Sequence, residues 1–145
     1  MVGTLDRRYL HEFCVPKRFE TDMAQKPLQP GIVTGLAWTE FGGDILNIEV
    51  VTVKGTGKLI LTGKLGEVMQ ESAQTAFTYI RTIINKYNDD EEYYKHNDFH
   101  IHVPEGAVPK DGPSAGITMA TALASALTGQ PVCRNLAMTG EVTLR

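Results

Sequence analysis

The residues best suited to chemistry in this chain gather around one serine. Ser114 stands in Asp111-Gly112-Pro113-Ser114-Ala115-Gly116, where a glycine- and proline-rich loop meets an apolar run of small residues. Pro113 suits a first helical turn, because its missing N–H costs nothing there and its φ is preset. Gly112 permits a tight turn just before it. The serine then lies at the positive end of a helix, beside backbone N–H groups able to hold the oxyanion of an acyl-transfer intermediate. Serine is equally a common helix-starting cap, and the local pattern leaves both readings open. His100 and His102 alternate along an expected strand and so share a face. They read as polar support beside an active site, or as two metal ligands with Glu105 or Asp98 as a third. One of them, with an acid, would also complete a hydrolase triad around Ser114. Lys54-Gly55-Thr56-Gly57-Lys58 contains Gly-Lys but not the GxxxxGK[ST] spacing of a phosphate loop, and reads as a turn.

These residues need elements to position them. Gly31 to Trp38 reads as a strand, Phe41-Gly42-Gly43-Asp44 as a turn, and Ile45 to Val53 as a β-branched second strand; the pair predicts a hairpin. Leu59 to Thr62 reads as a third strand, giving an antiparallel meander. The period then changes. Leu65, Val68, Met69, Ser72, Ala73, Ala76, Tyr79, Ile80, Ile83 and Ile84 recur at helical steps and predict a long amphipathic helix. Asn88-Asp89-Asp90-Glu91-Glu92 ends it; the run lacks the alternating ligands and central glycine of a calcium loop and reads as a solvated turn. Phe99 to Val103 predicts another strand, Ser114 to Thr128 a helix stopped by Gly129 and Pro131, and Leu136 to Met138 and Val142 to Leu144 two strand pieces. The fold class is α+β: a mixed sheet with helices on one face.

Composition removes several classes of function. The 145 residues are 42% hydrophobic and 21% charged, ordinary values for a globular domain. A net charge of −3 gives no sign of nucleic-acid binding. Cys14 and Cys133 form no CxxC pair and read as free thiols. No apolar run is long enough for a membrane span, and Met1 to Arg8 is no secretory signal. No GxGxxG or Walker sequence is present, so no nucleotide or other cofactor site is expected in this chain.

Longer motifs identify a family. HVPEGAVPKDGPSAGI, at His102 to Ile117, closely resembles the serine-nucleophile segment of the Lon ATP-dependent proteases. Gly31 to Trp38 with Thr39 resembles the GxxTGLAWT opening of the Lon proteolytic domain. GKLILTGKLGEVMQESAQTAFTYIR, at Gly57 to Arg81, resembles its strand and long helix, and MTGEVTLR, at Met138 to Arg145, its next segment. The PKDGPSAG form is similar to the soluble bacterial and organellar branch. The resemblance implies a fold of the kind also seen in ribosomal protein S5, with residues 31–145 forming the proteolytic domain, incomplete at its C-terminus. Residues 1–30 would be the connector from a preceding AAA+ module.

The resemblance also implies a serine–lysine dyad, in which Ser114 attacks the peptide carbonyl and a neutral lysine amine takes its proton. The family's lysine lies beyond Arg145, and no lysine follows Lys110 in this chain. The fragment alone is therefore expected to be inactive. Supporting roles carry over to Thr139, Asp111, Gly112, His100, His102, Glu49 and Glu141. Trp38, Thr39 and Glu40 would belong to the strand edge on which an extended substrate adds itself. For the intact family the resemblance implies ATP and Mg²⁺ at the AAA+ module, a homo-hexameric ring, unfolded protein substrates, and a bacterial cytoplasm or mitochondrial matrix, with no metal, membrane or nucleic acid. Two other readings stand beside it: a catalytically dead Lon-like assembly module, and the Ser-His hydrolase.

Overall fold

The computed structural model describes residues 29–39, 42–87, 92–104 and 109–145, with the side chains of Trp38, Thr39, Lys86 and Tyr87 outside that description. The expected connector over residues 1–30 falls almost wholly outside it, as do Cys14, Glu40, Glu105 and most of the acidic run after Tyr87.

β1 (Ile32–Thr39) and β2 (Gly42–Lys54) pair antiparallel from Ile32↔Glu49 to Thr39↔Gly42, the hairpin expected around the two glycines. β3 (Leu59–Thr62) follows, then helix α1 (Glu67–Tyr87), the short helix α2 (Tyr93–His96) and β4 (Asn97–His102). Helix α3 (Gly116–Thr128) leads to the two-residue strand β5 (Ala137–Met138). The five strands lie in the order β3-β4-β2-β1-β5. β4 is antiparallel to β2 and parallel to β3, and β5 is parallel to β1.

This order corrects the meander. β3 does not return along β2; β4 occupies that place, and β3 lies outside it at the sheet edge. The reason is visible in the helical period between β3 and β4. A strand, a long helix and a second strand form a crossover unit, whose strands pair in parallel.

α1 and α3 cover one face. Val33, Ile48, Val50, Phe99 and Ile101 from the sheet share a single core with Met69, Ala73, Ala76, Phe77 and Ile80 of α1 and Met119, Ala120, Ala122 and Leu123 of α3. Phe99 and Ile101 are fully buried, and Phe77 packs on Phe99 at 4.8 Å between ring centroids. Burying such a side chain contributes about 1.5–3 kcal/mol. The alanines of both helices allow them to lie close together over the sheet. The opposite face keeps Ile32, Leu36, Val51 and Val53 exposed.

Three further expectations need adjustment. Val68, counted in the buried face of α1, is 45% exposed, while Phe77 supplies the core contact instead. Residues 142–144 form no strand: the chain leaves the sheet after Met138 to bond the start of α3. α3 begins at Gly116 rather than Ser114, and ends as expected at Gly129, with φ 69° and ψ 13°.

Candidate functional site

Ser114 is exposed, at the apex of a turn feeding α3. The Gly116 N–H donates to the Pro113 carbonyl at 3.1 Å, and Ala115 has φ −85° and ψ −1°. That closure and that conformation of the third residue describe a type I turn, Pro113 to Gly116, with Ser114 second. Gly112 enters it at φ +109°, a conformation open to glycine at no steric cost. The cap reading is corrected: the N-cap of α3 is Ala115, and among the described residues no side-chain hydrogen bond caps the helix. The helix-end amides are also less open than the sequence suggests. Gly112 N–H goes to Asp111, Gly116 N–H to Pro113, and Ile117 N–H to Gly140. The remaining amides of the turn are those of Ser114 and Ala115.

Three anchors hold the turn. The first is Asp111, whose Oδ1 accepts the N–H of Met69, third residue of α1, at 3.0 Å and that of Gly112 at 2.8 Å. The N-cap position of α1 falls on a glycine, Gly66, so Asp111 supplies a capping carboxylate from the serine loop. These backbone donors, Met69 first, hold its carboxyl below the ordinary carboxylate range. The second anchor is the segment after β5. Gly140 N–H donates to the Ser114 carbonyl at 2.8 Å, and the Thr139 hydroxyl reaches the same oxygen at 3.5 Å. The third is Ser72 on α1, whose hydroxyl donates to the Pro113 carbonyl over 3.4 Å. Gly116 makes this packing possible, since a Cβ there would meet Ser72 Oγ at 2.8 Å and Val142 N at 3.0 Å.

Thr139, Asp111 and Gly112 thus come together around Ser114, with Glu141 exposed two residues beyond Thr139. The histidines do not join them. Their neighbours Phe99 and Ile101 point into the core, so His100 and His102 project from the face of β4 opposite the helices. His100 Nε2 lies 2.8 Å and His102 Nδ1 2.6 Å from the Thr62 hydroxyl, and among the described residues no hydrogen bond links either ring to Ser114. Glu49 is exposed on that open face as the register partner of His102. Among the described residues no three His, Cys, Asp or Glu side chains gather as a metal site. β1 is not an edge strand as expected, but β5 pairs it only at Thr34 and Gly35, so the stretch toward Trp38 and Thr39 runs past that ladder.

The glycine turn after β2 does not fit a nucleotide phosphate. Asp98 Oδ1 accepts the N–H groups of Thr56, Gly57 and Lys58 at 2.8, 3.0 and 2.8 Å. The donors of a phosphate cradle are therefore spent on an internal carboxylate, which they hold below its ordinary range, Lys58 first.

Sequence reasoning missed two contributors. Ser72 was legible only as one position of a buried helical face, although a polar residue there signals a partner across the core. Thr62 carried no signal, because its role depends on β3 lying beside β4.

Comparison with protein families matches residues 4–145 to the Lon protease (S16) C-terminal proteolytic domain. Among curated proteins, the chain is 62% identical over 128 residues to a Lon protease of Brevibacillus choshinensis, a match covering 88% of this chain and 16% of that protein. It is 56% identical over 142 residues to Lon protease 1 of Bacillus subtilis, covering 98% of this chain and 18% of the relative. Lon protease 1 of Thermus thermophilus is 56% identical over 144 residues, with 99% and 18% covered. The chain therefore spans less than a fifth of the length of these relatives. With a match over nearly its whole length and more than half its residues shared, this chain belongs to the Lon protease family and corresponds to its proteolytic domain.

Proposed function

We propose that Ser114 is the nucleophile of a serine endopeptidase and that its proton passes to a lysine outside these 145 residues. The observation that carries this reading is an exposed serine on a turn whose two flanking carbonyls are already hydrogen-bonded, beside the start of α3. A hydroxyl at its ordinary pKa is a weak nucleophile, so a neutral amine within hydrogen-bond reach is required. A lysine meets that need when partial burial disfavours its ammonium form. Thr139, already beside Ser114, is the group to orient that amine. An extended substrate would pair with β1 past the β5 ladder, toward Trp38 and Thr39. In the whole protein this domain would serve an ATP-driven hexameric ring degrading unfolded proteins, with ATP and Mg²⁺ bound elsewhere in the chain. The bacterial relatives favour a bacterial cytoplasm over a mitochondrial matrix.

The Ser-His alternative finds no support in the geometry, since both histidines face Thr62. The test is covalent. A fluorophosphonate probe added to the whole protein should modify Ser114, located by mass spectrometry of the labelled peptide. Labelling that persists undiminished in Ser114→Ala would overturn the assignment. The 145-residue chain by itself, having no lysine after Ser114, is expected to cleave no fluorogenic peptide.

A further inference from the structure

We propose that Ser72 is a positioning residue for peptide cleavage: from helix α1 it pins the Pro113 carbonyl, and so aims the Ser114 N–H outward as an oxyanion donor. The inference rests on Ser114 being the nucleophile.

The argument begins with peptide geometry. In a planar trans peptide the C=O and the following N–H point in opposite directions, and the described chain contains no cis peptide. Whatever holds the Pro113 carbonyl therefore also sets the direction of the Ser114 N–H. Two donors hold it: the Gly116 N–H at 3.1 Å, closing the turn, and the Ser72 hydroxyl at 3.4 Å. The next peptide repeats the pattern, with the Ser114 carbonyl held by Gly140 N–H and the Thr139 hydroxyl. Its trans partner is the Ala115 N–H. Two successive carbonyls are thus held, and among the described residues no hydrogen bond takes their two amides, which are left for an oxyanion.

Ser72 is unusual within this arrangement. It sits at a core position of α1 and is only 7% exposed. Helical serines commonly return the hydroxyl to the carbonyl four residues earlier; this one crosses to the serine loop. The cost of admitting it is borne at Gly116, where any side chain would strike Ser72 Oγ. A 3.4 Å bond is long, as hydrogen bonds of an unliganded site often are before a transition state draws them together.

The test uses the whole protein with a peptide substrate and a peptide boronate, which forms a tetrahedral adduct on a serine. Alanine is smaller than serine and a better helix former, so Ser72→Ala should fold. Losing a direct oxyanion donor costs about 10²–10³ in kcat. Ser72 acts through a peptide plane, so Ser72→Ala should lower kcat and weaken the boronate about tenfold, with KM and melting temperature nearly unchanged. Ser72→Cys, which keeps a weak donor, should recover part of the loss. Wild-type kcat and boronate affinity in Ser72→Ala would overturn the proposal, as would a loss confined to KM or to thermal stability. A Ser114→Ala control separates the two ideas: if that variant still turns over substrate, the nucleophile assignment fails; if it is dead while Ser72→Ala is unimpaired, only the positioning role fails.

Discussion

Asp98 and Asp111 each close a glycine-containing loop by collecting backbone N–H groups, and they leave the two loops in opposite states. Asp98 takes the three successive amides of Thr56, Gly57 and Lys58, so the turn after β2 is filled by its own protein. Asp111 takes one amide from α1 and one from its own neighbour Gly112, both outside the turn that follows. The serine turn is then gripped through its carbonyls by Ser72, Gly116, Thr139 and Gly140. A loop held by its amides has no donor to spare. A loop held by its carbonyls turns its amides outward, which an electrostatic catalyst requires.

The largest effect expected from this contrast is functional. Ser114→Ala in the whole protein should reduce peptide hydrolysis by at least about 10³-fold, with an unchanged melting temperature; retained turnover would place the chemistry elsewhere. Next comes Gly116→Ala. Overpacking of this kind costs about 1–3 kcal/mol, measurable by urea denaturation, and the displaced turn should lose activity with it. A fully active, equally stable variant would mean that the closeness of Ser72 and Gly116 is unimportant.

The two aspartates provide the direct comparison. Asp111→Asn should depress kcat about tenfold, because loosening the cap of α1 also moves the serine turn, and a full misplacement of about 1 Å can cost about 10²-fold. Asp98→Asn should lower thermal stability while leaving kcat of the remaining folded protein near wild type. Equal kcat losses in both would erase the distinction between a structural and a functional loop.

The smallest effect is on pH. Both carboxyls titrate below the ordinary range when folded and near about 3.9 when unfolded. A depressed folded pKa contributes stability that is complete above the unfolded value and disappears as pH falls through the folded one. Thermal melts toward about pH 3 should therefore show a loss that is shallower in Asp98→Asn and in Asp111→Asn. An unchanged acid limb in both variants would remove these groups from the acid response.

Much of this was legible from residue order. Apolar repeats located α1 and the β1–β2 hairpin, and Pro113 with Gly112 marked the turn before α3. The differences have one physical cause. Sequence adjacency places β3 beside β2, whereas the crossover through α1 sets β4 between them. His100 and His102 were correctly placed on one face, but only the sheet order shows that the face is turned away from the helices and toward Thr62. Ser72 looked like an ordinary member of a helical stripe until α1 was packed against the serine loop.

The sequence by itself determined the family, the α+β class and the identity of the candidate nucleophile, because these depend on local conformational preference and on motifs of contiguous residues. Tertiary structure alone decided which groups hold Ser114 in place. Asp111 reaches 42 residues back to Met69, and Ser72 reaches 41 residues forward to Pro113. Hydrogen bonds of such span leave no periodic trace in the chain, since their partners meet only after helices and sheet have closed around a common core.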